Sequence, residues 1–499
     1  MLDNLKQEAN IAFTENGAVS NETTGSWCLD LFATIGALRR EPDEEIILRF
    51  FRAYAEDPDL AMKTVFFARD IRGGLGERRV FRTILNWLGK NKPETVRRNL
   101  ELIPEFGRYD DLLALFGTPC EKDVLELIRR LFEKDMDCLG KGGRVSLLGK
   151  WLPSVNASSM ETVMKARKIA RYMGMSDAAY RKSLTRLRRQ IDIIENHLRE
   201  KDYSFDYSKQ PSRAMYKYRK AFMRNDGRRY MDFLRQAGKG EVRMNAGNVA
   251  PYELVAPYLS VSARWGRIED CSFMRDVSPE EAAALNVTWA AMPDFGGDEN
   301  ALAVIDTSGS MYCEGKPVPA AVALSLGLYF AEHNKGIFGN CFIEFSARPQ
   351  LIMLKGETFA DRLRYAASFN TVADTNLEAV FQLILNTAVK NHVSQKELPS
   401  RLIIISDMEF NCCVENASET NFQNAKRRFA EAGYKLPEIV FWNVASRNRQ
   451  QPVSKNEQGV TLVSGTTPRL FDMVAGGNVS PYEFMMETLN NPRYSAIAA

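Results

Sequence analysis

At 499 residues the chain is too long for one ordinary core, so two or three domains are expected. Hydrophobic residues make up 45% and charged residues 26%, an ordinary globular balance, and the longest apolar stretch, residues 320–331, is too short to span a bilayer. The net charge of +3 is unevenly spread: residues 291–499 hold 18 Lys+Arg against 22 Asp+Glu, leaving 48 against 41 in residues 1–290, so the first part leans basic and suits an anionic partner.

The chain opens MLDNLKQEAN, which lacks a basic stretch leading into an apolar one and predicts no signal peptide, hence a cytoplasmic protein. Residues 1 to about 285 then read as helix after helix. Ile46, Phe50, Phe51 and Tyr54 fall at helical spacing over Glu44 to Ala55, and Asp57-Pro58-Asp59 breaks that run. A second helix over Leu60 to Ile71 stops at Gly73-Gly74. Further periodic segments cover Val80–Leu88, Glu94–Ile103, Asp110–Phe116, Val124–Phe132 and Glu161–Met173. Apolar residues at 180, 184, 187, 191 and 194 predict one long helix. Helix pairs joined by short turns predict an α-solenoid of HEAT-like hairpins, although no strict repeat period is present.

The pattern changes at the Pro/Gly/Asp cluster of residues 292–298, which reads as a linker. Strands at 301–305, 341–345, 401–406 and 438–444 then alternate with helices at 319–332, 377–389 and 421–432. Unbroken apolar runs such as Leu402-Ile403-Ile404-Ile405 suit a parallel sheet covered on both faces, a doubly wound α/β domain. The expected division is a helical domain over 1–290, an α/β domain over 291–475 and a helical tail over 476–499 that packs back on the helices.

Eight scattered cysteines lack metal-ligand spacing, with only Cys412 and Cys413 close together, and fit free thiols in a reducing compartment. His197, His333 and His392 have neither zinc nor triad spacing, which argues against zinc hydrolysis and Ser-His-Asp catalysis. The chemistry concentrates instead at the carboxyl ends of strands, where doubly wound sheets bind ligands. Asp306, Ser308 and Ser310 form a DxSxS turn after the first apolar strand. Thr375 offers a hydroxyl at a helix entrance, and Asp407 ends another apolar strand. Neutral hydroxyl oxygens with two carboxylates suit Mg²⁺, a hard cation with octahedral oxygen ligation. The alternative is a Ser/Asp-rich turn that only caps the next helix.

This ordered set resembles the metal-ion-dependent adhesion site of von Willebrand A domains. The resemblance implies that Ser308 and Ser310 ligate the cation directly and Thr375 directly or through water, with Asp306 and Asp407 in support. The remaining position is left for an acidic ligand or partner. Asp374 stands where such sites usually have a small residue, and Glu409 adds a nearby carboxylate.

A second resemblance runs through the helical part. It is carried by Thr23-Thr24-Gly25-Ser26 with Leu29-Asp30-Leu31-Phe32, by residues 68–78 (ARDIRGGLGER), 150–154 (KWLPS), 180–188 (YRKSLTRLR) and 211–215 (PSRAM), and by 406–410 (SDMEF). These segments resemble the DUF2828 family, related to the Ro autoantigen and its TROVE module. The resemblance implies a ring or horseshoe of helical repeats closed by an A domain, binding single-stranded or small structured RNA.

The residues supply a basic surface of their own. Arg181, Lys182, Arg186, Arg188 and Arg189 form a run without an acid. Residues 213–229 hold seven basic residues, Arg213, Lys217, Arg219 and Lys220 among them, against one acid, with Tyr216, Tyr218 and Phe222 interleaved. Basic side chains neutralise phosphates and aromatic faces stack bases. The plainer reading is a solvated helix face with its aromatics turned to the core. Lys150, Arg186 and Arg189 are the expected cavity contacts. Residues 73–79 could cradle a phosphate, but without a P-loop Lys-Ser/Thr or a preceding strand they read first as a helix C-cap. Three functional readings follow: a non-catalytic Ro-like RNA-binding protein, a metal-dependent protein-interaction scaffold without RNA, and a metal-dependent phosphohydrolase or nuclease.

Overall fold

The computed structural model describes residues 10–191, 193–264, 267–273, 275–297, 300–312, 317–345, 348–369, 375–412, 419–476 and 480–499. Asp374, Cys413 and part of the 292–298 linker lie outside them. The chain divides into two compact units, one of residues 42–206 with 489–499, the other of residues 1–41 with 207–488. By compactness, therefore, residues 207–290 group with the sheet that follows them. No helix among the described residues is long and apolar enough to cross a membrane.

The first unit is helical. Asp43, Glu44 and Glu45 favour the start of the helix Asp43–Glu56, which buries Ile46, Phe50 and Ala53. Phe51, one residue round from Phe50, is 51% exposed and edges onto Trp87 rather than entering the core. Asp57 caps the helix Pro58–Arg69, its Oδ1 accepting from Leu60 N at 3.0 Å, and Pro58 sits where a missing N–H does no harm. The Gly73–Gly76 loop folds back on this helix: the Gly74, Leu75 and Glu77 amides donate to the carbonyls of Asp70, Phe67 and Ala68. A Cβ on Gly74 would lie 2.0 Å from the Phe67 oxygen, so only glycine permits the closure. The loop is a helix terminus whose Gly74, Leu75 and Glu77 N–H groups are already satisfied.

Phe66, Phe81, Phe106 and Tyr494 form the aromatic centre of this unit, with ring centroids 5.4–5.7 Å apart. Residues 489–499 are held there by Arg493, which pairs with the fully buried Asp70. The long helix expected to run to residue 194 ends at Gln190, and a short helix begins at Ile194. Ile193 is extended, and Asn196 Nδ2 donates to the Arg188 carbonyl at 3.1 Å, a side-chain cap at the helix end.

The second unit is built on a six-stranded mixed sheet. Its strands are β1 (Ala301–Asp306), β2 (Cys341–Phe345), β3 (Gln350–Met353), β4 (Arg401–Ser406), β5 (Glu438–Asn443) and β6 (Val460–Ser464), in the order β6-β5-β4-β1-β2-β3. All pairs are parallel except β2 with β3. The parallel sheet expected from sequence thus gains an antiparallel edge. Every residue of β1 and β4 is buried, which is why both read as unbroken apolar runs. Leu302 and Val304 share one core with Val380, Phe381, Phe422 and Phe429 of the helices Leu377–Asn391 and Asn421–Glu431. On the other face, Ile305 meets Gly327 of the helix Pro319–His333, and Trp442 packs on Phe471.

Two hairpins interrupt the helical reading of residues 1–285, Ile11–Phe13 with Val19–Asn21 and Ser260–Arg264 with Arg267–Ser272. The first belongs to an N-terminal strap along the sheet: Thr14 Oγ1 donates to the Phe410 carbonyl at 2.6 Å, and Gly36 N donates to Ser464 Oγ at 2.9 Å. The helix Ser212–Gly238 kinks at Asp226, whose carboxylate accepts from Tyr207 at 2.8 Å.

Candidate functional site

The chain leaves β1 for β2 on one side and later returns to β4 on the other. The crevice beyond the carboxyl ends of β1 and β4 is therefore the switch point of the sheet. Asp306 ends β1 there, and Asp407 follows β4 directly; both are buried, at 0% and 2% exposure. Asp306 Oδ1 accepts from Ser308 N at 2.8 Å, which folds the DxSxS turn back over the strand end. Ser308 Oγ and Ser310 Oγ lie 3.1 Å apart. Thr375 is buried at the entrance of the helix Leu377–Asn391, and its carbonyl accepts from Asn411 N at 2.9 Å, which anchors it to the segment after β4.

Three features of the crevice, at Ser406, Met408 and Arg447, were not legible in the motif. Ser406 Oγ donates to Asp306 Oδ2 at 2.6 Å and accepts from Met408 N at 3.0 Å. Met408 has φ +68, a left-handed conformation that a side chain resists and that tends to mark functional turns. Arg447 places Nη2 2.9 Å from Asp407 Oδ2 and Nη1 2.9 Å from Glu15 Oε2. Glu409 faces the strap: its Oε2 accepts from Glu15 N at 2.7 Å, its Oε1 from Asn448 and Gln450 at 2.9 and 2.8 Å, and burial pushes its carboxyl up.

The electrostatics favour a cation. Burial, and then the negative charge of Asp407, push the Asp306 carboxyl up to about 7. An octahedral ion with bonds of about 2.1 Å needs neighbouring oxygens about 3.0 Å apart, close to the Ser308–Ser310 separation. Among the described residues no three His, Cys, Asp or Glu side chains converge. The donor set is thus hydroxyls with two carboxylates, which could hold a hard divalent ion.

The two basic runs fall in different units. In the helix Asp177–Gln190, Arg181, Lys182, Arg186 and Arg189 are exposed, and none forms an ion pair among the described residues. Arg188 turns inward instead, donating to the carbonyls of Gly149 and Leu152 at 2.8 and 2.9 Å. Tyr180 donates to Pro153 O at 3.1 Å, and a Cβ on Gly149 would stand 2.8 Å from Leu187 Cβ. The segments 150–154 and 180–188 are therefore packing mates. Lys150 approaches Glu195 at 3.8 Å and the Trp151 ring at 5.7 Å.

In the other unit, Arg213 pairs with Glu253, while Arg219 and Lys220 pair with Glu281 at 2.8 and 3.1 Å. Arg219 also stacks on Tyr216 at 4.3 Å, and Phe222 is fully buried against Tyr207 and Tyr230. Lys217 lies over Tyr218 at 4.7 Å with its ammonium on the phenol oxygen at 2.9 Å. Much of this run is neutralised within its own unit.

A domain of unknown function, DUF7788, matches residues 300–488. The chain is 28% identical over 526 residues to uncharacterized protein L728 of Acanthamoeba polyphaga mimivirus, covering 96% of this chain and 87% of that protein. Among solved structures it is similar to the Ro (RSR) protein of Deinococcus radiodurans, with a TM-score of 0.41 and 14% identity over 88% of this chain and 92% of that one. The domain of unknown function DUF2828 matches residues 14–140 and 109–294, which together span more than half of the sequence, and the chain belongs to that family.

Proposed function

We propose that this protein binds RNA without catalysing its turnover, taking single-stranded or small structured RNA on its helical unit and holding Mg²⁺ at the sheet crevice for an acidic ligand or partner. The observation that carries the RNA reading is the outer face of the helix Asp177–Gln190. Arg181, Lys182, Arg186 and Arg189 occupy one side of it and form no ion pair among the described residues. Four such charges can displace counterions from phosphates, which is the dominant source of nucleic-acid affinity. The resemblance of the family motifs to Ro-related proteins names RNA as the ligand class, and with it a HEAT-like ring or horseshoe for the helices. The crevice supports a von Willebrand A-type reading of the second unit, with Asp306, Ser308, Ser310, Thr375 and Asp407 around the cation.

Binding of single-stranded RNA, duplex RNA and single-stranded DNA, each with Mg²⁺ and with EDTA, tests the reading. Salt-sensitive binding that prefers single-stranded RNA is expected. Absence of binding at low salt would overturn it and leave an acidic protein partner at the cation as the working function.

A further inference from the structure

The RNA reading leaves one group in the helical unit unused. Arg108 is partly buried, and its guanidinium forms no hydrogen bond or ion pair among the described residues. Nearby arginines are all matched: Arg69 and Arg82 with Asp111, and Arg78 with Asp110. Arg108 instead lies on the face of Trp151, 4.5 Å from its ring centroid. Burial lowers its basicity; Asp110 opposes this, and Arg69 and Arg78 add to it. A partly desolvated guanidinium whose neighbouring carboxylates, Asp110 and Asp111, are already paired with other arginines is a place where an anion lowers the energy.

Trp151 has the complementary property. Its indole is partly exposed, and no other aromatic ring packs on it among the described residues. Lys150 stands 5.7 Å from the same ring. Arg188 bonds to the carbonyls of Gly149 and Leu152 on either side, so the indole sits on a rigid mount beside the basic helix. A planar ring, a cation stacked on it and a second cation at its rim are what an unpaired nucleotide needs: a surface for the base and a charge for its phosphate.

We propose that Arg108, Trp151 and Lys150 form a nucleotide subsite, in which an unpaired base of single-stranded RNA stacks on the Trp151–Arg108 pair and its phosphate is held by Arg108 and Lys150. The proposal rests on the RNA reading and deepens it by adding a base-dependent contact to the charge-only contact of the basic helix.

The test compares fluorescence anisotropy of labelled oligoadenylate with that of an abasic ribose-phosphate oligomer of equal length, on the full chain. The wild type should prefer oligoadenylate by about 5- to 150-fold. Trp151→Leu should abolish that preference and leave the salt dependence unchanged, and Trp151→Phe should restore part of it. Arg108→Gln should weaken both oligomers. Thermal midpoints of all variants exclude unfolding as the cause. Equal binding of both oligomers by the wild type, or an unchanged preference in Trp151→Leu, would overturn the subsite and leave the RNA reading standing. Binding of neither oligomer would overturn both. Preferential capture of polyglutamate, lost in Arg108→Gln, would assign the site to an acidic polypeptide and also overturn it.

Discussion

Arg447 caps Asp407: the guanidinium sits 2.9 Å from a carboxylate that is 1% exposed and reaches Glu15 of the N-terminal strap at the same distance. One side chain thus neutralises the candidate cation site on one side and ties residues 10–41 to the sheet unit. Arg447→Met should cost about 1–3 kcal/mol, below the full value for a buried pair because the arginine reaches water. The loss should be largest in EDTA and smaller in Mg²⁺, since a cation replaces the missing charge. Denaturant titrations with and without Mg²⁺ check this; an equal loss in both would separate Arg447 from the cation.

Among the described residues Asp306 has no such guanidinium. Asp306→Asn should therefore maintain or raise stability in EDTA at neutral pH, because it removes a charge that burial disfavours, while abolishing stabilisation by Mg²⁺. In the wild type that stabilisation should reach about 2.7 kcal/mol at a hundredfold excess over Kd. Thermal melts across a Mg²⁺ series would show it, and a variant that still responds to Mg²⁺ would place the ion elsewhere.

The same carboxylate sets a pH dependence. Its folded pKa, about 7, lies above the unfolded value near 3.9, so the native state binds the extra proton and the Asp306 contribution is greatest at low pH. In EDTA the Asp306 contribution should decline as pH rises from about 4 to 7, and Mg²⁺ should remove the decline. Asp70 runs the other way. Burial raises its carboxyl, but hydrogen bonds from Arg493 and from the backbone of Arg72 and Gly73 outweigh it and hold it below the usual range. Its contribution is present above the unfolded pKa and is lost as pH falls through the folded one. Hydrogen-exchange protection factors over residues 489–499 should therefore fall in acid, and in Arg493→Ala at neutral pH.

Arg186 and Arg188 are two residues apart and should behave oppositely. Arg186→Ala should leave stability unchanged and reduce the salt dependence of RNA binding by about 0.7 in log–log slope. Arg188→Ala should cost about 1–3 kcal/mol, because the carbonyls of Gly149 and Leu152 lose their donors. Paired melts and binding curves separate the two roles.

These residues also show what a sequence can and cannot carry. Asp306 and Asp407 were legible as strand-end carboxylates because each closes an unbroken apolar run, the pattern of a strand buried on both faces. Ser406 was hidden inside such a run, and Arg447 and Glu15 act on Asp407 from 40 residues after it and 392 before it. The antiparallel edge strand Gln350–Met353 is four residues long and largely exposed, too little pattern to separate from a loop. The helix end at Gln190 is set by Asn196, a side-chain cap that apolar spacing does not register. Arg188 and Arg219 counted as surface charge in a linear run, yet one caps carbonyls and the other pairs with Glu281.

The most direct test of the account is the affinity of the full chain for single-stranded RNA as a function of salt. The four phosphate contacts of the basic helix predict a contribution of about −3 to the slope of log Kobs against log salt, and that contribution is lost when Arg181, Lys182, Arg186 and Arg189 are replaced together. A steep slope in the wild type that survives the fourfold replacement, or no RNA binding at low salt, would contradict the account.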